Sequence, residues 1–324
     1  MSLAGTLTLP LTSGQHPAVV LLHGSGPMNR DQEFFGMKPF WIIADHLTRK
    51  GVAVLRYDSR GVGGSSGASY QFTFLDVAED ALAAIRYLKT RNDINTAQIG
   101  LCGQSQGAVV APLAASRSQD VAFIISLAGF VMKGEEAHVA GMTSMAKADG
   151  ASEQEIKGLA ENIRKVSDLI RKGANEAEIR PLIAAVHKDQ LGSAPQKNKK
   201  ETRTNDKAIV DLVLPVYRSP WFRFLIDYDP KPVLEQILCP VLFLFGELDM
   251  QVPEEPNRIS ILDILKKSSH SDYTLNTIPE ANHWFQSANT GSPFEFESLE
   301  KRFAPGFLEC ISDWLLKRVD IVTQ

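Results

Sequence analysis

The chain has 324 residues, of which 44% are hydrophobic and 22% are charged, and its formal net charge at pH 7 is −4. A chain of this length can bury a large core, so the fold needs neither disulfides nor a structural metal ion. The mild negative charge does not provide the basic face that nucleic-acid binding requires. No apolar stretch is long enough to span a membrane and no leader-like start is present. We therefore expect a cytoplasmic protein that handles small molecules, or a periplasmic or secreted one if the N-terminus was trimmed.

Short apolar runs that end at glycine or polar loop residues recur along the chain and predict buried strands. The first strand-like segment is 5–10, and later ones are 18–22, 52–57, 98–102, 121–127, 240–245 and 273–278. Amphipathic stretches between and after them predict helices at 38–50, 73–91 and 304–318. Strands that alternate with helices are typical of βαβ units and a mostly parallel sheet, so we predict an α/β fold.

The alternation stops between residues 132 and 230, where no strand-like run occurs. Apolar positions at helical spacing predict three helices there, at 152–172, 175–190 and 205–217. A polar stretch between the last two is interpreted as a solvated loop, and it contains Lys197, Lys199 and Lys200. We predict that 132–230 is a helical insertion in a single α/β core formed by 1–131 and 231–324.

The segment Gly103-Gln104-Ser105-Gln106-Gly107 matches the pattern G-x-S-x-G. It follows a predicted strand and precedes a helix-like stretch, as in a nucleophile elbow, where the serine occupies a strained turn and its neighbours must be small. The turn exposes the hydroxyl at the carboxyl end of the sheet, where backbone N–H groups can bind an oxyanion. Ser105 is the candidate nucleophile, and an ordinary tight turn is the alternative.

A serine hydroxyl is a weak nucleophile at neutral pH and needs a histidine base that a carboxylate orients. His283 is the candidate base because it lies in a loop directly after the last predicted strand. His23 is the competitor, but it ends the first strong strand beside glycines, where a backbone N–H near Ser25 or Gly26 can serve as an oxyanion donor. We expect the His23 side chain to hold that loop by hydrogen bonds.

The candidate acid is Asp249, which follows the strand-like run 240–245. Glu247 is the local rival because it lies in the same loop. Asp227 and Asp229 fall at the end of the helical insertion and are interpreted as structural.

The order Ser105, Asp249, His283 is the order in which α/β-hydrolases carry their catalytic residues. From about residue 5 to residue 318, the chain resembles an α/β-hydrolase. More narrowly, it resembles a bacterial serine esterase branch related to dienelactone hydrolases and serine aminopeptidases. The motifs that carry this resemblance are HGSGP at 23–27 with Arg30 and Asp31, LRYDSRG at 55–61, SPWF at 219–222, DMQV at 249–252 and NHWFQ at 282–286.

The resemblance implies a catalytic triad of Ser105, Asp249 and His283, with the backbone N–H groups of Ser25 and Gln106 as oxyanion donors. It further implies hydrolysis of a carboxylic ester, with a short-chain acyl preference, through an acyl-enzyme intermediate. The expected partner is a small-molecule ester, and the oligomeric state stays open. We expect no cofactor, and we expect no metal ion because no H-E-x-x-H or paired-histidine spacing occurs.

Two departures from the family pattern are visible. Gln104 stands where many relatives carry histidine, which should alter local hydrogen bonding without removing a member of the triad. Family members also have a further strand before residue 5, which is missing or displaced here.

The helical insertion is expected to cover the carboxyl end of the sheet as a cap, since ligands of open α/β sheets bind there. Its apolar side chains would line the pocket or pack the cap onto the core: Met132, Met142, Met145, Trp221, Phe222 and Phe224.

Two alternative functions stay open. The first is a serine aminopeptidase or amidase with the same triad, which would favour acidic residues in the cap to hold a substrate amino group; Glu135 and Glu136 are candidates. The second is a non-catalytic binding protein with a hydrolase fold, and an intact triad argues against it.

Overall fold

The framework of the molecule is one seven-stranded sheet, seen in a computed structural model that describes residues 1–192, 206–268 and 270–322. The strands are β1 (Gly5–Thr8), β2 (His16–Leu22), β3 (Ala53–Tyr57), β4 (Ile94–Gln104), β5 (Ile124–Leu127), β6 (Val241–Gly246) and β7 (Tyr273–Ile278). Their order in the sheet is β1-β3-β2-β4-β5-β6-β7. Only β1 runs antiparallel to its neighbour, so the predicted mostly parallel α/β sheet is confirmed.

Helices follow the strands as the alternating pattern requires. The described residues form α1 (Pro39–Arg49), α2 (Phe74–Lys89), α3 (Gln106–Ala115), α4 (Gly134–Ala148), α5 (Glu153–Arg171), α6 (Glu176–Gly192), α7 (Asp206–Tyr217), α8 (Pro220–Asp227), α9 (Lys231–Leu234), α10 (Glu254–Lys267) and α11 (Phe307–Leu316).

The predicted elements agree with the structure apart from shifts at their ends. β4 begins four residues before the predicted 98–102. Its first residues are mostly polar and partly exposed, so they do not form an apolar run. α11 begins at Phe307 rather than at 304, since Gly306 takes the left-handed conformation with φ 82° and sets the start of the helix. The lysine-containing loop predicted after α6 lies outside the described residues.

The core lies on both faces of the sheet. Alternate residues of β2 enter different apolar clusters. Val19 and Leu21 belong to the cluster that contains residues of α1 and α11, whereas Val20 and Leu22 belong to the cluster that contains residues of α2, α3 and α10. Each such side chain, when fully buried, contributes about 1.5–3 kcal/mol relative to exposure. Burial on both faces explains why the central strands are continuous apolar runs.

The strand register brings the loops of the predicted site to one edge. Leu22 at the end of β2 is paired with Gly103 near the end of β4, and Gly246 at the end of β6 is paired with Ile278 at the end of β7. Because these strands are parallel, the loops that follow them emerge side by side.

Six described helices, α4 to α9, lie in the chain between β5 and β6, and the first five of them fall within residues 132–230. The segment approaches the loops of the sheet closely, since a Cβ at Gly141 of α4 would lie 2.4 Å from the carbonyl oxygen of Gln251. The division into a core of 1–131 with 231–324 and a cap of 132–230 stays a prediction. Among the helices of the described ranges, none has the length and apolar character needed to cross a membrane.

Candidate active site

Ser105 lies on a strained turn between β4 and α3. Its backbone has φ 53° and ψ −115°, a conformation that an L-residue with a side chain rarely adopts. The two flanking positions must be glycine because any side chain there would clash with the backbone. A Cβ at Gly103 would lie 2.0 Å from the carbonyl oxygen of Gly107, and a Cβ at Gly107 would lie 1.9 Å from the carbonyl oxygen of Leu22. The G-x-S-x-G pattern therefore forms the predicted elbow, with the serine side chain partly accessible.

His283 and Asp249 form a buried pair on the two neighbouring loops that follow β7 and β6. The distance from Nδ1 of His283 to Oδ2 of Asp249 is 2.8 Å. The other carboxylate oxygen accepts the backbone N–H groups of Gln251 at 2.9 Å and Val252 at 2.8 Å. Because a carboxylate only accepts, Nδ1 of His283 carries the hydrogen and Nε2 is the nitrogen left to accept a proton.

A cavity of about 170 Å³ lies at this edge of the sheet, and Ser105 and His283 both line it. Ser25 and Gln106, the two predicted oxyanion donors, line the same cavity. Asp249 is not among the lining residues, since it lies behind His283 and is 5% exposed. The five residues singled out from sequence therefore come together, although Ser105 and Asp249 stand on opposite sides of the helical segment in the chain.

The rival residues take other positions. Glu247 is exposed, and its Oε2 accepts the backbone N–H of Glu280 at 2.8 Å, so Asp249 is the carboxylate that pairs with His283. Asp227 forms ion pairs with Arg171 and Arg223 at the surface of the helical segment.

The expectation for His23 is wrong. Within the described part of the chain, neither ring nitrogen of His23 has a partner at hydrogen-bonding geometry, and the ring lies edge-on to Tyr57 at 5.5 Å. Burial lowers the pKa of His23 to about 4, so the ring is neutral at pH 7. The loop after β2 is instead held by Gln32, whose Oε1 accepts the N–H of Gly24 at 2.8 Å. No local pattern marked Gln32, which acts through a contact formed only on folding.

The helical segment supplies one wall of the cavity. Trp221 of α8 lines it and donates its indole N–H to Oε1 of Gln106 at 2.5 Å. Of the six apolar side chains considered from sequence, Trp221 is the one found among the lining residues, which also include Leu225 and His138. Burial lowers the pKa of His138 to about 4, and its Nε2 is buried with no hydrogen-bond partner in the described structure. Sequence reasoning missed His138 because a lone histidine in a helix is usually a surface residue.

This fold, a mostly parallel sheet with flanking helices and a strand–elbow–helix turn at Ser105, is that of an α/β hydrolase. The model of the alpha/beta hydrolase family matches residues 19–293, and the chain belongs to that family.

Comparison with curated proteins places an esterase among the relatives. The chain is 28% identical to Esterase EstD of Thermotoga maritima over 324 residues, an alignment that covers 97% of this chain and 66% of EstD. It is also 28% identical over 130 residues to an uncharacterised 31.7 kDa protein of Escherichia coli, covering 40% of this chain and 42% of that protein. Each alignment thus covers less than two thirds of the relative's own length.

Solved structures share the fold. Est1E from Butyrivibrio proteoclasticus, with ferulic acid bound, superposes with a TM-score of 0.53 at 16% identity, covering 97% of this chain and 93% of that one. A thermophilic esterase from Thermogutta terrifontis, with malate bound, gives a TM-score of 0.53 at 20% identity with the same coverage. At these identities the likeness concerns the fold alone.

Proposed function

We propose that the protein is a serine esterase that hydrolyses carboxylic esters through a triad of Ser105, His283 and Asp249. The observation that carries the proposal is the buried His283–Asp249 pair, whose histidine lines the same cavity as the strained elbow serine. Membership of the α/β hydrolase family and similarity to Esterase EstD support the same reaction.

In the proposed mechanism, Oγ of Ser105 attacks the ester carbonyl while Nε2 of His283 takes the hydroxyl proton. Asp249 holds the hydrogen on Nδ1 and stabilises the imidazolium. The backbone N–H groups of Ser25 and Gln106 bind the oxyanion, and the alcohol leaves with the proton from His283. Water then attacks the acyl-enzyme with His283 again as the base, which releases the acid and restores Ser105.

The cavity favours a small, uncharged acyl group. A cavity of about 150 Å³ holds one benzene ring, so about 170 Å³ leaves room for a short acyl chain. The lining contains no Asp, Glu, Lys or Arg among the described residues. In this proposal the segment 132–230 acts as the cap that bounds the cavity, over a core of 1–131 and 231–324.

The aminopeptidase alternative lacks the acidic group that it requires. Glu135, one of the two candidates, is paired with Arg171 at 3.0 Å, and Glu136 is exposed. Neither residue lines the cavity. A substrate ammonium group would therefore meet no free carboxylate beside Ser105.

The test is hydrolysis of p-nitrophenyl esters of increasing acyl length, with an aminoacyl p-nitroanilide assayed in parallel. The wild type is expected to favour the shortest esters, and Ser105→Ala is expected to lose about 10⁴-fold or more in kcat. Ser167→Ala is the matched control, because Ser167 is a fully buried serine of α5 that is absent from the cavity lining.

Labelling with a fluorophosphonate gives a second readout. The wild type and Ser167→Ala should be labelled, and Ser105→Ala should not. A wild type that neither hydrolyses esters nor reacts with the probe would revive the non-catalytic alternative. Preferential cleavage of the anilide would favour the aminopeptidase.

A further inference from the structure

Two buried glutamine side chains connect the three loops that meet at the proposed active site. Oε1 of Gln32 accepts the N–H of Gly24 at 2.8 Å, and Nε2 of Gln32 donates to Oε1 of Gln104 at 3.3 Å. Nε2 of Gln104 in turn donates to the carbonyl oxygen of His283 at 3.2 Å. One continuous chain of hydrogen bonds therefore runs from the loop after β2, past the elbow, to the loop after β7.

The direction of this chain is determined by its two ends. The carbonyl of His283 can only accept, so Gln104 must turn its NH₂ group toward it and its oxygen toward Gln32. The N–H of Gly24 can only donate, so Gln32 must turn its oxygen toward Gly24. Both requirements are met at once, and a buried amide network in which the linking groups are paired holds its members in one arrangement.

The backbone is adapted to this contact. Gln32 is fully buried and has φ 52°, in the left-handed region that a residue with a side chain seldom occupies. A Cβ at Gly24 would lie 2.7 Å from Oε1 of Gln104, so the absence of a side chain at position 24 lets the amide approach. A conformation that is unfavourable for Gln32 persists only where the surroundings over-determine it.

Each end of the network adjoins a group of the proposed mechanism. Gly24 precedes Ser25, the proposed oxyanion donor, and Gln104 directly precedes the nucleophile Ser105. The bond to the His283 carbonyl holds the backbone that carries the imidazole. The two glutamines do not touch the cavity, whose lining includes neither Gln32 nor Gln104.

We propose that Gln32 and Gln104 are positioning residues that set the distances between the Ser25 N–H, the Ser105 hydroxyl and the His283 ring. This inference rests on the proposed esterase function. A misplacement of about 1 Å at a reacting group can lower the rate about 100-fold, even where substrate contacts are intact. Loss of either glutamine should therefore lower kcat and leave KM nearly unchanged.

The test uses Gln104→Met, Gln32→Met and the double variant, because methionine keeps the length of the side chain and removes its hydrogen bonds. Each single variant should lose about 10-fold to 100-fold in kcat with KM within about 3-fold of wild type. The kcat of the double variant should be only slightly below that of the less active single variant, since both substitutions interrupt the same chain of hydrogen bonds. Neither glutamine titrates, so the pH profile of kcat should keep its shape.

Gln286→Met is the matched control. Gln286 is also a buried glutamine of the loop after β7, but its Nε2 donates to the carbonyl of Glu300 at 3.0 Å, away from the site. This variant should lower Tm without lowering kcat more than about 3-fold. Gln104→Asn is a second probe that keeps the amide but shortens its reach, and it should reproduce the loss seen in Gln104→Met.

Circular dichroism establishes that each variant is folded at the assay temperature. Folded Gln104 and Gln32 variants with unchanged kcat would overturn the positioning role and leave the esterase function intact. An equal loss of kcat in Gln286→Met would overturn it as well, because the effect would then follow from burial alone. A wild type that neither hydrolyses esters nor reacts with a fluorophosphonate would overturn both proposals.

Discussion

The loops at the carboxyl edge of the sheet and the helical segment from α4 to α8 use polar residues in opposite ways. In the loops, polar side chains are buried and bonded to backbone groups, as Asp249 and Gln32 are. In the helical segment, charged side chains pair with one another near the surface, as Arg171 does with Asp227 and Glu135.

The two regions also differ in backbone strain. Residues with side chains and positive φ include Gln32, Ser105 and Phe285 around the loops, whereas the described residues of α4 to α8 contain none. Strained conformations cluster where groups must be held in one place, and regular helices have no such need. The loops of the sheet therefore hold the proposed reacting groups in place, while the helices shape the cavity through side chains such as that of Trp221.

The largest difference between the two regions is expected in kcat when one carboxylate in each region is replaced by an amide. Asp249→Asn is expected to lower kcat about 10⁴-fold, because the amide can turn its NH₂ group toward Nδ1 of His283 and favour the wrong tautomer. Asp227→Asn, in the helical segment, should change kcat less than about 2-fold. Steady-state kinetics with a short p-nitrophenyl ester measure both. Similar losses in the two variants would contradict the division of roles.

Acid should affect the two regions alike, since each holds a histidine whose pKa is lowered by burial. Burial lowers the pKa of His23 beside the sheet and of His138 in α4 to about 4, against about 6.5 in an unfolded chain. Between these values the unfolded state binds more protons, so stability present at pH 7 is lost as the pH falls from about 6.5 toward 4. Each histidine should account for roughly 2–3 kcal/mol of that loss.

Urea unfolding between pH 4.5 and 7 tests this pH dependence. His23→Phe and His138→Phe should each reduce the slope of unfolding free energy against pH by up to about 1.4 kcal/mol per pH unit. The control is Trp221→Phe, which removes no titratable group and should leave the slope unchanged. A wild-type slope in either histidine variant would show that its ring is protonated at a normal pKa.

The smallest effect is expected from the ion pairs of the helical segment. Arg171 contacts Asp227 at 2.7 Å and Glu135 at 3.0 Å, and it also donates to the carbonyl of Ile226 at 3.0 Å. Since the side chain is 31% exposed, Arg171→Met should lower the free energy of unfolding by about 1 kcal/mol. Activity should stay within about 2-fold of wild type.

The exposed Arg164 on the same helix provides the control, and Arg164→Met should change stability by less than about 0.5 kcal/mol. Chemical unfolding and ester hydrolysis measure the two properties separately. A large loss of activity in folded Arg171→Met would mean that the helical segment also positions the reacting groups.

Much of the fold was predictable because its signals are local. A strand buried on both faces is a continuous apolar run, and the elbow needs small residues on either side of Ser105, so neighbouring letters reveal both. Asp249 and His283 were found because each follows a strand and their order in the chain is typical of the family. The His23 expectation failed, because position beside a strand end does not determine which side chain holds the loop.

The amino-acid pattern thus determined the alternation of strands and helices and the candidates for the triad, since both depend on short-range burial and turn chemistry. Only the tertiary structure decided that Asp249 rather than Glu247 meets His283 and that Gln32 reaches Gln104. Contacts between residues far apart in the chain depend on the register of the whole sheet. A periodicity of a few residues carries no information about that register.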